Sequence, residues 1–460
     1  MPDILPLLMA LTPVLSKTTC RQLCHIVPAL LAMTGRITQR GIARWTETGG
    51  SYRTVQRFFH TPIDWTQVQW LFLRRFVDFQ DGVYILAGDE TPVGKAGKQT
   101  YGVDRFFSSV IGKPIPAVAF FSIALIDTMK RQAYSLSTEQ VIRTSEEKEQ
   151  SKIRKQKRNA RIKKQDKKQE EKRRPGRPKG SKNKNKAELT LSPELQRIQA
   201  QAKTVLARIQ DKIRIGYFVL NGHFGNHLAC QMVRQMDLHL ISKMRYNAEL
   251  YLEPTAEEKA RRPRLKYGNR VDYAHLPEEF RCSSVTEEGH RTDYYQMRCL
   301  HKDYADCLNV VVILRTDLKT QRVGHIVLFS SDLSLIATTL VDYYALRFQI
   351  EFTFRDAKQY FGLEDFMGVK QTSVANAVGL SFFMVNLSTH MLGHFRNSYP
   401  GAGVNDLKSY YRGRRYATEI IKLLPEKPDA ITCSNLLNEI CNLGFIHSPA
   451  NKGSNLELAA

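Results

Sequence analysis

Between Lys148 and Lys186 the chain carries 19 lysines and arginines against 4 acidic residues, a net of +15, with almost no apolar side chains. Such a stretch cannot bury enough surface to offset its own ordering entropy, so it reads as flexible or only partly helical. Any core must be assembled from segments on either side of it, which requires strands far apart in sequence to meet in one sheet. The whole chain has a net charge of +23 and a pI of 9.6, so only +8 belongs elsewhere. Charge of this size points to a polyanionic partner, with nucleic acid the first expectation. At 460 residues, 42% hydrophobic and 25% charged, the rest should be globular and form two or three domains.

Residues 1–78 read as an all-helical N-terminal domain holding all three tryptophans, Trp45, Trp65 and Trp70. The opening run MPDILPLLMALTPVL is apolar, but it lacks a basic flank and carries Asp3, which argues against a signal peptide. Later apolar runs, such as Ile115 to Ile126, fall short of the ~20 residues that cross a bilayer. The expectation is a soluble cytoplasmic protein without membrane contact. Cys20, Cys24 and His25 form the only tight cluster of metal-ligating types, with no matching second pair, so reduced core thiols are expected. Ser51 can cap a helix SYRTVQRFF that buries Val55, Phe58 and Phe59. Its outward Arg53, Gln56 and Arg57 suit a recognition helix of a small DNA-binding domain, and an ordinary surface helix fits equally.

Residues 79–147 change to strands. VYILAGDE reads as a buried strand ending in Asp89, followed by a strand near Phe106 to Val110 and by AVAFFSIALID, a meander of three. After the basic insertion at 148–190, residues 191–244 supply an amphipathic helix over Leu195–Ile213 and the strand IGYFVLNG with Asn221 at its end. The helix GNHLACQMVRQMD and the strand LHLISKMR follow. Residues 245–335 contain short alternating segments and read as a β-rich insertion. Residues 336–398 carry a helix through Tyr343–Lys358, and 399–460 hold further helices and a tail.

On that helix Tyr344, Arg347, Glu351 and Lys358 share one arc of roughly 60°, beside an apolar face of Leu346, Ile350, Phe354, Ala357 and Phe361. A carboxylate, two cations and a phenol on one stripe can hold a metal ion next to a phosphate backbone. A solvated charged stripe is the plainer alternative. The spacing Tyr-x2-Arg-x3-Glu-x6-Lys decides against it, because it resembles the signature of DDE-type insertion-sequence transposases.

The resemblance extends to the order of elements and is strongest around ILAGDET, YFVLNGHFGN and the signature helix. It implies an α/β, ribonuclease-H-like catalytic core with a β-rich insertion. Asp89, position 221 and Glu351 map onto the three acidic metal ligands, and Tyr344, Arg347 and Lys358 onto DNA contacts. Mg²⁺ is the implied cofactor, two ions in an active enzyme, with Mn²⁺ as a substitute; hard cations of this kind prefer anionic oxygen ligands. Position 221 departs from the pattern, since Asn221 removes one negative charge. Neither Asp211 nor Asp237 is placed to replace it, and Glu90 should face away from Asp89. His223, Lys95, Lys98 and Arg105 are weaker candidates for DNA contact. Within the basic insertion, RRPGRPKGSKNK resembles an AT-hook, which implies minor-groove contact through Arg174, Arg177 and Lys179.

The implied function is a transposase that binds terminal inverted repeats as a dimer on paired ends, then cleaves and joins double-stranded DNA. Asn221 predicts an impaired copy, and a catalytically silent end-binding protein is the alternative.

Overall fold

The structure is a computed structural model. It describes residues 4–447 apart from 47–48, 80–81, 109 and 427 and, within 150–189, all but 152, 153, 156 and 160. The AT-hook-like motif with Arg174, Arg177 and Lys179 therefore lies outside the described residues.

Five helices open the chain: α1 (Ile4–Met9), α2 (Lys17–Ala32), α3 (Gln39–Trp45), α4 (Tyr52–His60) and α5 (Trp65–Phe76). The side chains of Ser16, Thr38, Ser51 and Asp64 accept the amide three residues on and so start α2 to α5. Ile4, Leu7, Leu8 and Leu11, in the apolar opening run, are buried in the main core. No helix among the described residues is long and apolar enough to cross a membrane.

The strands follow as β1 (Tyr84–Gly94), β2 (Asp104–Ser108), β3 (Lys113–Asp127) and β4 (Gln132–Gln140), then α6 (Pro193–Ile209), β5 (Ile215–Leu220), α7 (His227–Arg234) and β6 (His239–Lys243). Next come β7 (Leu250–Leu252), α8 (Ala256–Arg261), β8 (Arg281–Glu287), β9 (His290–His301), β10 (Leu308–Asp317) and β11 (Val323–Ser330). All belong to one 11-stranded mixed sheet ordered β2-β3-β1-β5-β6-β11-β10-β9-β7, with β4 on β3 and β8 on β9.

The expected three-strand meander is corrected in its membership. The 15-residue β3 pairs β2 through Lys113–Ala117 and β4 through Phe120–Asp127, both on the edge away from β1. The meander that carries the core is thus β1-β3-β4, and β2 is an added edge strand. With β5 and β6 parallel to β1, three antiparallel and two parallel strands give the order of a ribonuclease-H-like sheet. Strands from 245–335 extend that same sheet, because β11 pairs antiparallel with β6.

The signature helix is two helices, α9 (Ala337–Leu346) and α10 (Gln349–Tyr360). Across the junction the amides of Phe348, Ile350 and Glu351 bond back three residues instead of four, so the chain tightens at Arg347. The closing helices are α11 (Gln371–Phe395), α12 (Val404–Leu423) and α13 (Ala430–Cys441).

The buried α11 joins the N-terminal helices to the sheet. Gly379 leaves a notch for Trp65, since a Cβ there would lie 2.1 Å from the indole Cγ. Asn376 accepts from the Trp65 indole N–H at 3.0 Å and donates to the carbonyls of Phe58, Phe59 and Thr61 at the end of α4. About three turns farther along, Asn386 donates to Gln69 of α5 and pairs with both backbone groups of Ser135 in β4. Buried amides placed in this way satisfy helix ends that would otherwise lack partners.

Candidate active site

Parallel pairing of β1 with β5 stops at Gly88 and Leu220, while β1 runs on against β3 to Gly94. Asp89 and Asn221 are therefore the first residues beyond the shared ladder, and their side chains meet where the two strands separate. Packing is tight just before this point, since a Cβ on Gly88 would come within 2.8 Å of Leu220 and Phe121.

Asp89 accepts three hydrogen bonds. Its Oδ1 takes the Asn221 Nδ2 at 2.7 Å and the Glu90 amide at 2.9 Å, and its Oδ2 takes Arg347 Nη1 at 2.7 Å. Arg347 Nη2 donates to Glu351 Oε1 at 3.0 Å, so one guanidinium bridges both carboxylates. Arg347 and Asp89 side chains are only 12% and 13% exposed, and Glu351 is 37% exposed toward the cleft. The Arg347 Nε is buried with no hydrogen-bond partner among the described residues. Tightening of the helix at Arg347 brings this residue between the sheet and α10.

Asn221 is held on three sides. Its Oδ1 accepts the His223 amide at 2.9 Å, its carbonyl accepts Ser242 Oγ of β6 at 2.9 Å, and its Nδ2 faces Asp89. The turn it caps, Gly222–Phe224, is pressed against the end of β6.

The other signature residues join the same cluster. Tyr344 lies with its ring 5.9 Å from the Arg347 guanidinium; burial raises its phenol pKa and Arg347 opposes that rise. Lys358 donates to the carbonyl of Pro92 in β1 at 3.2 Å and lies 3.7 Å from Glu364. Asp89, Glu351, Lys358 and Arg355 border an open cleft of about 660 Å³ under the β2–β3 hairpin.

Glu90 turns toward α6, where burial and the neighbouring Glu194 raise its carboxyl pKa. His223 directs its ring to Glu194 at 3.4 Å, and this contact raises the imidazole pKa. Lys95, a weaker candidate for phosphate contact on what reads as an exposed turn, is instead a tether. Its Nζ donates to the carbonyls of Glu364 and Phe366 and lies 3.4 Å from the Phe366 ring centroid, and burial lowers its pKa to about 8. Arg105 is similarly engaged, donating to the Pro114 carbonyl at 2.7 Å, whereas Lys98 is exposed. Arg53 and Arg57 are exposed on the outer face of α4, as expected, and take no part in the carboxylate cluster.

Among the described residues no group of three or more His, Cys, Asp or Glu side chains is placed to hold a metal. The site offers two carboxylates and one amide. The guanidinium itself shows that these carboxylates fit a cation, since it occupies the space between them with a bond to each. Rotating the Asn221 amide would add a neutral oxygen to that pair. Ser242, Glu194 and the bridging role of Arg347 were not legible in the sequence, because each depends on a partner in a distant segment.

No curated protein matches the chain. Residues 10–299 match the family model described as DDE superfamily endonuclease. The matched stretch contains Asp89 and Asn221, and Glu351 lies beyond it. That match covers well over half of the chain and the sheet agrees with it: the chain belongs to the DDE superfamily of endonucleases.

Proposed function

We propose that this chain is a transposase of the Tyr-Arg-Glu-Lys signature group, whose ancestral reaction is Mg²⁺-dependent cleavage of element ends and transfer of a 3′-hydroxyl to target DNA. The observation that carries this reading is the meeting of Asp89, Asn221 and Glu351 around the Arg347 guanidinium at one edge of the sheet. Asp89, Glu351 and the Asn221 amide oxygen would hold the metal, which when bound polarises the scissile phosphate and activates the attacking hydroxyl.

The chain's own groups do the rest. Arg347 engages both carboxylates through its Nη atoms, and with Asp89 and Glu351 holding a metal its guanidinium would be available to grip a phosphate. Lys358 and Tyr344 extend the same grip along the stripe. Arg53 and Arg57, with the basic insertion and its Arg174, Arg177 and Lys179, provide affinity for the element ends, and a homodimer pairs two of them in the bacterial nucleoid.

Asn221 impairs the chemistry. It supplies a neutral ligand where the family pattern has an anion, and it presents an N–H to Asp89. The test is to incubate the protein and Asn221→Asp with duplexes from the DNA flanking the reading frame and Mg²⁺. The aspartate variant should nick and join these duplexes at least about 100-fold faster, a gain of about 3 kcal/mol in transition-state stabilisation. Equal inactivity of both, with DNA still bound, favours a silent end-binding protein instead.

A further inference from the structure

The turn after β5 divides two concavities. On the α10 side the cleft is bordered by four carboxylates, Asp89, Glu90, Glu351 and Glu364, together with Arg355 and Lys358. On the other side a groove of about 610 Å³ is bordered by Asn221, His223, Lys243, Arg245, Tyr246 and His325, with no acidic residue in its lining.

This second groove is shaped by specific contacts. Lys243 ends β6 and Arg245 lies two residues on, both exposed, while Met244 between them is 5% exposed in the core. A Cβ on Gly225 would fall 2.0 Å from the Lys243 carbonyl oxygen, and one on Gly222 would fall 3.2 Å from Lys243 Cε. The turn bearing Asn221 is thus seated on Lys243, whose aliphatic stem runs along Gly222 and whose ammonium is left to solvent. Ser242 fastens the same turn through the Asn221 carbonyl. The facing wall is also fixed: His325 bonds the Tyr246 carbonyl through Nε2 at 2.6 Å and stacks on Tyr273 at 4.6 Å, while the Tyr246 side chain is 72% exposed. Neither Lys243 nor Arg245 has an acidic partner among the described residues. Two uncompensated cations and an exposed aromatic ring form a surface for a phosphate backbone and its bases.

We infer that this groove seats the DNA strand on the far side of the scissile phosphate, with Lys243 and Arg245 on its phosphates and Tyr246 against a base. The inference rests on the transposase reading, and it adds a track by which the strand continues past Asn221, away from the acidic cleft.

The test is the salt dependence of binding by the full chain to a labelled duplex of about 30 base pairs from the DNA flanking the reading frame. Each phosphate contact contributes about 0.9 to the slope of log K against log salt. Lys243→Ala/Arg245→Ala should lower the slope by about 1.8. Lys319→Ala/Arg322→Ala, at the β10–β11 turn, should leave it unchanged, and the conservative Lys243→Arg/Arg245→Lys should keep it near the original. Tyr246→Ala should weaken binding about 10-fold without changing the slope. A slope unaltered in Lys243→Ala/Arg245→Ala, with binding intact in the unaltered protein, overturns the groove and leaves the transposase reading standing. Failure of the unaltered protein to bind DNA overturns both.

Discussion

Asn221 donates from Nδ2 to Asp89 Oδ1 across 2.7 Å, so the residue at the end of β5 meets the carboxylate of β1 as a donor rather than as a second anion. In a site with aspartate at both positions, two negative charges would face each other until a cation separated them. The asparagine removes that repulsion and, with it, part of the site's demand for metal. Arg347 supplies the positive charge that remains necessary, bridging Asp89 and Glu351 from one guanidinium.

Replacing Arg347 should therefore expose the latent repulsion. Arg347→Met leaves Asp89 and Glu351 without their shared partner in a largely buried setting and should cost about 3 kcal/mol in urea unfolding. Arg347→Lys keeps the charge but loses the fork that reaches both carboxylates, so it should recover only part of this loss. A loss in Arg347→Met below about 0.5 kcal/mol would mean that the bridge contributes little to the folded state.

The turn after Asn221 makes a sharper comparison. Gly225→Ala sets a Cβ 2.0 Å from the Lys243 carbonyl oxygen, where neither backbone can yield easily, and should cost about 1–3 kcal/mol by overpacking. Gly222→Ala comes nearest the flexible Lys243 Cε at 3.2 Å, with the Lys243 carbonyl oxygen at an ordinary contact of 3.4 Å, and should be tolerated. Thermal melts of the two variants check this order, and equal melting temperatures would contradict it.

Much of this arrangement could be read from the sequence. Asp89 and Glu351 were legible because a buried apolar strand and a helical stripe each carry one carboxylate, although β1 runs on to Gly94 and only its ladder with β5 stops short of Asp89. The break at Arg347 was not, because the apolar periodicity from Leu346 through Ile350 to Phe354 continues across it while the hydrogen bonds tighten. Strand β4 escaped notice for a different reason. Its QAYSLSTEQ buries Ser135 and Ser137, which look solvent-facing; Asn386 bonds the backbone of Ser135, and Gln201 and Thr66 bond the hydroxyl of Ser137. Lys95 looked free because its carbonyl partners, at Glu364 and Phe366, come from the far end of the core. For β4 and Lys95 the missing information was a long-range partner for a polar group.

Two lysines tie stability to alkaline pH. Burial lowers Lys408 to about 8 where it donates to the Leu30 carbonyl at the end of α2, and Lys95 likewise to about 8. In the unfolded chain a lysine holds its proton up to about 10.4. Between about pH 8 and pH 10 the unfolded state binds more protons, so these groups make stability rise with pH, relative to a chain lacking them. Lys408→Met should reduce that rise, read as the change in urea midpoint between about pH 8 and about pH 10. An unchanged pH dependence in the variant would show that Lys408 titrates normally in the folded state.

The proposed metal site of Asp89, Asn221 and Glu351 is short of one charge. The most direct measurement is the Mg²⁺-induced shift in melting temperature of the protein and of Asn221→Asp, without DNA. Asn221→Asp should melt about 1–2 °C lower in the absence of metal, from about 1–2 kcal/mol of carboxylate repulsion, and should regain that loss as Mg²⁺ is added. The unaltered protein should show a much smaller shift. Equal shifts in both proteins, or no shift in Asn221→Asp, would contradict the assignment of position 221 as the altered metal ligand.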